Sequence, residues 1–150
     1  MALITRAALE YEMFRTAAGE TYYEIPPSEY QKDLICMYNH HKMLGKNEYA
    51  DEEVFAGKNG YTDDALNTLV TCARRGDMEI VCVVMRDGGS QIYEDTKAMI
   101  DYGLDNFSKI KIDEDRISFA EKLRNENPAF EGRTVVSFDE DVYAVVPVGA

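Results

Sequence analysis

Ala56-Gly57-Lys58-Asn59-Gly60-Tyr61-Thr62-Asp63 is the stretch on which the reading of this chain turns. Taken alone, Asn59-Gly60 is a strong signal for a tight type I′ hairpin turn, since both residues tolerate positive φ. The other reading keeps the stretch extended, with a strand from Val54 through Lys58 that presents one lysine between two glycines.

The flanks help to place it. Downstream, β-branched runs over 68–73 and 79–85 are separated by Arg74-Arg75-Gly76-Asp77, which predicts a hairpin. Asp87-Gly88-Gly89-Ser90 is a turn. Residues 92–107 then place Tyr93, Thr96, Met99, Ile100 and Leu104 on one face, so a helix is expected to pack back on the sheet. Upstream, residues 2–18 carry Leu3, Ile4, Ala7, Ala8, Tyr11 and Phe14 at helical spacing, with Gly19 as the stop. Residues 21–25 are rich in β-formers and end at Pro26-Pro27, as a short edge strand does. Residues 34–38 read as extended, 39–42 as a polar turn, and Asp51-Glu52-Glu53 as a charged loop. The fold class expected is α+β, an antiparallel sheet with packed helices.

After Phe107 the pattern becomes β-rich. Strands are expected at 108–112, 134–138 and 141–146, with a helical turn or short helix at 117–123. Two regions follow from this change, 1–107 and 108–150.

Composition narrows the function classes. The chain has 150 residues, 45% hydrophobic, enough for a core, and a net charge of -12. Such acidity argues against nucleic acid and anionic membrane surfaces, which attract Lys/Arg patches. Arg74-Arg75 and Lys109-Ile110-Lys111 are too short to make a polyanion site. No signal peptide and no membrane-length apolar run is visible. Cys36, Cys72 and Cys82 lack metal-ligand spacing. A disulfide between Cys72 and Cys82 on neighbouring strands is one reading, and buried free thiols is the other. His40-His41 lacks a third ligand and is taken as part of the polar turn. Asp63-Asp64 is read as a locally bonded or solvated pair rather than an acid–base dyad. No cofactor or metal site is expected.

Several segments in order carry a resemblance: Tyr38-Asn39-His40-His41-Lys42-Met43-Leu44, the Lys58-Asn59-Gly60-Tyr61-Thr62-Asp63 stretch, residues 66–73, Ser90-Gln91-Ile92-Tyr93-Glu94-Asp95-Thr96-Lys97, and residues 101–107. Together they resemble the later half of a low-molecular-weight penicillin-binding protein, a serine-type D-alanyl-D-alanine carboxypeptidase. The similarity runs from about Met1 to Phe107 and continues more weakly to Ala150. It implies part of a β-lactamase/transpeptidase-like domain over 1–107, followed by the start of a small C-terminal β-rich domain over 108–150.

The family carries Ser-x-x-Lys, Ser-x-Asn and Lys-Thr-Gly in chain order, and only a variant of the third stands here. None of the five serines is followed two residues later by Asn. Ser108-Lys109-Ile110-Lys111 spells the first motif, but downstream of Lys58 and in a strand-like segment, and is read as coincidence. The resemblance therefore implies a fragment that begins after the first two motifs and lacks the nucleophile, inactive alone.

Carried over residue by residue, Lys58 is the electrostatic anchor, and Asn59 stands where a hydroxyl residue meets the substrate carboxylate. Gly60 gives the substrate close approach, Tyr61 supplies a backbone N–H to the oxyanion hole, and Thr62 lies beside them. The implied partners are a peptidoglycan peptide ending in D-Ala-D-Ala and β-lactams, for the parent protein, with an extracytoplasmic or membrane-associated location. Written as it stands, without a signal peptide, the chain would stay in the cytoplasm. A separate N-terminal half or self-association would cover the sheet. The alternative is a non-catalytic binding or assembly module derived from the same fold.

Overall fold

The computed structural model describes residues 1–112 and 141–149. Two compact units divide the chain, Met1–Asn106 and Phe107–Ala150.

In the first unit the elements run α1 (Ala2–Ala8), α2 (Glu12–Gly19), β1 (Tyr22–Ile25), β2 (Ile35–Tyr38), β3 (Val54–Thr62), β4 (Leu66–Arg75), β5 (Met78–Asp87) and α3 (Gln91–Asn106). β1 and β2 form an antiparallel ribbon, and β3, β4 and β5 form an antiparallel sheet in that order. The architecture is α+β, as expected.

Asn59-Gly60 is not a turn. Asn59 pairs with Leu69 and Gly60 with Thr68 in the middle of the β3–β4 ladder, so β3 runs on to Thr62. The turn falls instead at Asp63-Asp64-Ala65, where Thr62 Oγ1 accepts a hydrogen bond from the Ala65 N–H at 3.0 Å. The next hairpin is tighter than expected. Arg74 and Arg75 stay in the ladder opposite Glu79 and Met78, leaving Gly76-Asp77 to turn, with Gly76 at φ 62°.

The single helix expected over 2–18 is two helices. The chain leaves helical geometry at Tyr11 (φ -101°, ψ 118°), and the break lets Leu9 pack with Ala56 and Cys72 in a buried cluster. Arg15 Nε donates to the Leu9 carbonyl at 2.6 Å, satisfying an acceptor exposed where α1 stops. Arg15 also forms a two-pronged ion pair with Glu79, both bonds at 2.9 Å.

The two faces of the sheet bury different partners. One carries Val54, Leu69, Ala73 and Cys82 against Met43, Leu44 and the α3 residues Ile92, Ile100 and Leu104. The other carries Ala56 and Cys72 against Leu9 and Ala18. α3 buries Ile92, Thr96, Ile100 and Leu104 at every fourth position. Met99, assigned to that face from its spacing, is exposed, while Tyr93 is half-buried and stacks on Tyr49 at 4.7 Å.

In the second unit β6 (Phe107–Lys111) pairs antiparallel with β7 (Tyr143–Pro147). The expected strands at 108–112 and 141–146 correspond to these. The expected helix at 117–123 and strand at 134–138 lie outside the described residues.

Candidate functional site

β3 is an outer strand of its sheet, and an outer strand presents alternate backbone N–H and C=O groups that no neighbour takes. Lys58 is exposed on it, and its ammonium donates to the Asn59 carbonyl at 2.6 Å and to Asn59 Oδ1 at 3.2 Å. Asn59 and Gly60 are half-buried, while Tyr61 is 62% exposed. A side chain at Gly60 would meet Thr68 Oγ1 at 2.7 Å, so the Thr68 hydroxyl, which donates to the Gly60 carbonyl at 3.2 Å, would have to shift to admit one. Thr62 is occupied with the turn. The five residues singled out from the sequence thus sit consecutively on one edge, with the lysine and the amide touching each other.

Gly57, just before the lysine, is held from behind. His41 is 1% exposed, and its Nε2 lies 2.9 Å from Thr71 Oγ1. Gly57 faces Thr71 across the ladder. A Cβ at Gly57 would lie 2.5 Å from two atoms of the His41 ring and 2.7 Å from the Val70 carbonyl oxygen. Burial drives the imidazole pKa down from 6.5 to about 4, so the ring is neutral near pH 7. The sequence reading of 39–42 as a simple polar turn is corrected here. His40 is exposed, but His41 and Met43 alternate inward with Leu44. That short alternation was the available signal.

On the other face Lys58, Val70 and Cys72 border an apolar cleft of about 630 Å³, closed in by α1, α2 and the β1–β2 ribbon. Among the described residues, Glu20 and Lys58 bring the charged carboxylate and ammonium side chains to its lining. No sequence signal announced it, since it is assembled from six separate elements.

Cys72 and Cys82 are buried free thiols, and Cys36 is exposed and free. Burial raises the Cys72 pKa to about 11 and raises that of Cys82 too, so neither is a thiolate near neutral pH. Among the described residues no group of three or more His, Cys, Asp or Glu side chains could hold a metal ion. Ser108 and Lys111 both lie in β6. Residues three apart on a strand face opposite ways, so this serine and lysine cannot act on one another. Asp63-Asp64 lies in the β3–β4 turn, where the Asp63 carboxylate is 3.5 Å from the Tyr61 hydroxyl.

No protein-family model matches the chain, and no curated protein matches it. Solved structures do. A D-alanyl-D-alanine carboxypeptidase from Mycobacterium tuberculosis H37Rv matches 69% of this chain at 25% identity and TM-score 0.57. Penicillin binding protein 6B from Escherichia coli matches 97% of it, at 17% identity and TM-score 0.63. The fold is that of the penicillin-binding D-alanyl-D-alanine carboxypeptidases. A peptidoglycan synthesis regulatory factor (PBP3) from Streptococcus pneumoniae shares this fold over 99% of the chain, at 16% identity and TM-score 0.66. The chain spans only 37% to 40% of the length of these penicillin-binding-protein-like neighbours. Among the described residues no helix is long and apolar enough to cross a membrane.

Proposed function

We propose that this chain carries the third-motif portion of a serine-type D-alanyl-D-alanine carboxypeptidase site, acting on peptidoglycan stem peptides outside the cytoplasmic membrane. The observation that carries the reading is the exposed Lys58-Asn59-Gly60-Tyr61 run on the outer edge of β3, within a penicillin-binding-protein-like fold. An edge strand binds an extended peptide by main-chain hydrogen bonds. Lys58 supplies positive charge for a terminal carboxylate, Asn59 an amide donor, and Tyr61 a backbone N–H for the developing oxyanion. Residues 1–107 correspond in this reading to part of a transpeptidase-like domain, and 108–150 to the start of a β-rich one.

Acyl transfer needs a nucleophile and a base as well. No serine among the described residues lines the cleft beside Lys58, so in this reading the acyl-serine intermediate forms on a serine outside those residues. The apolar cleft beside Lys58 is a surface on which a segment carrying it could seat. A second reading is a non-catalytic binding module of the same fold, favoured by Asn59 in place of the hydroxyl residue.

The test is labelling by a fluorescent penicillin, read by intact mass. The chain is assayed alone and with an added polypeptide carrying the Ser-x-x-Lys and Ser-x-Asn motifs of a carboxypeptidase of this fold. We expect no adduct alone and a stoichiometric adduct on the added polypeptide. Labelling of the chain alone would place the nucleophile within it, with Ser108 the first residue to mutate. No labelling of the mixture, with complex formation seen by light scattering, would favour the binding module.

A further inference from the structure

We infer that His41 is the positioning residue of the Lys58 strand: pinned to Thr71 and seated against the bare backbone of Gly57, its ring sets where the edge carrying Lys58 and Asn59 lies. The inference rests on the reading of β3 as the ligand-bearing edge, and its test separates the two.

The geometry is specific. His41 is fixed at both ends. Its backbone N–H donates to Asn39 Oδ1 at 3.0 Å, and its Nε2 meets Thr71 Oγ1 at 2.9 Å. Asn39 is itself anchored, with its N–H on the Thr21 carbonyl at 3.0 Å and its amide on the Glu20 carbonyl at 3.1 Å. One continuous path therefore joins the end of α2 and the base of the β1–β2 ribbon to the central strand β4. The ring fills the space that a side chain at position 57 would take. Thr71 belongs to the α3 side of the sheet through its neighbours Leu69, Ala73 and Cys82, whereas Lys58 lines the cleft on the other side with Val70 and Cys72. His41 thus supports the strand one residue before Lys58 and from the face away from it. An outer strand has only one ladder to hold it, so a buried wedge under its midpoint bears directly on where its free edge sits. The ring touches no ligand in this arrangement and acts through Gly57.

The experiment is amide hydrogen exchange and shift mapping by NMR on the full chain, comparing the wild type with His41→Leu and His41→Gln. Leucine keeps the bulk and deletes the hydrogen bond. Glutamine can place an amide nitrogen near the Nε2 position. We expect His41→Leu to speed exchange of the sheet-bonded amides between Lys58 and Tyr61 roughly tenfold, with α3 amides changed less than about twofold. His41→Gln should restore most of the protection. If His41→Leu does not fold, Thr71→Val removes the same hydrogen bond from the other end and must give the same local pattern. An unchanged β3, or acceleration spread evenly over β3, β4, β5 and α3, would overturn the inference, because the ring would then be ordinary core. Benzylpenicillin added to the wild type tests the ligand-bearing edge separately, by its shifts at Lys58 to Tyr61. Their absence refutes that reading while the exchange pattern still judges His41.

Discussion

Replacing Gly57 with alanine should destabilise the first unit by an amount that can be worked out from its surroundings. The new methyl would lie 2.5 Å from His41 Cδ2 and Nε2 and 2.7 Å from the Val70 carbonyl oxygen. None of these can give way cheaply. The imidazole is buried and bonded to Thr71, and the carbonyl belongs to the backbone of the central strand. Overpacking of this kind costs about 1–3 kcal/mol, and three clashes against rigid groups argue for the upper half of that range. Alanine lowers the entropy of the unfolded chain and returns about 0.4–1 kcal/mol. The net expectation is a loss of about 1–2.6 kcal/mol, or roughly 0.5–1.3 M in urea midpoint for an m-value near 2 kcal/mol/M. The chain has no tryptophan, so unfolding is followed by far-UV circular dichroism. Combining Gly57→Ala with His41→Ala relieves the ring clashes but not the one with Val70, so rescue should be partial. A midpoint for Gly57→Ala within about 0.2 M of the wild type would falsify the close packing of β3 on His41.

Three further outcomes follow from the same structure. His41 has a pKa near 4 in the folded chain against 6.5 when free, so the folded state resists its protonation. The stability it contributes is complete above about pH 6.5 and falls through the window down to pH 4, by about 3 kcal/mol at most. Subtracting the pH profile of His41→Gln removes the background of titrating carboxylates, and a flat difference would refute the assignment. Gly103→Ala lies inside α3, where a Cβ meets the Ile80 side chain, its Cδ1 methyl at 3.1 Å and its Cγ2 methyl at 3.8 Å. The gain in helix propensity of about 0.5–1 kcal/mol should win, so thermal melting should rise, and a fall would mean that Ile80 cannot move. Finally, every residue of the β1–β2 ribbon is exposed, and a bare two-stranded ribbon is marginal in water. Self-association is expected by light scattering, and a monomer at high concentration would count against it.

The chain's local chemistry was enough to place most elements. Alternating β-branched residues and a Gly-Asp turn specify β4 and β5, and the spacing of Tyr93, Thr96, Met99, Ile100 and Leu104 specifies α3 as a helix, because period and turn residues act over a few neighbours. Met99 nevertheless proves exposed and Ile92 buried. The ordered segments around Lys58 were enough to suggest the fold. Local pattern could not decide whether Asn59-Gly60 turns or continues, since both conformations suit the dipeptide. The ladder with Leu69 and Thr68 decided it, as pairing energy comes from a partner strand. Likewise the helical period runs unbroken across Leu9 to Tyr11, and only the demand to bury Leu9 on Ala56 and Cys72 splits it. His41 looked like half of a polar pair, and it became a buried wedge because Gly57 and Thr71, 16 and 30 residues away, make a socket for it. Propensity and pattern belong to neighbouring residues in the chain, whereas burial, pKa and the position of an edge depend on contacts that exist only once distant segments have met.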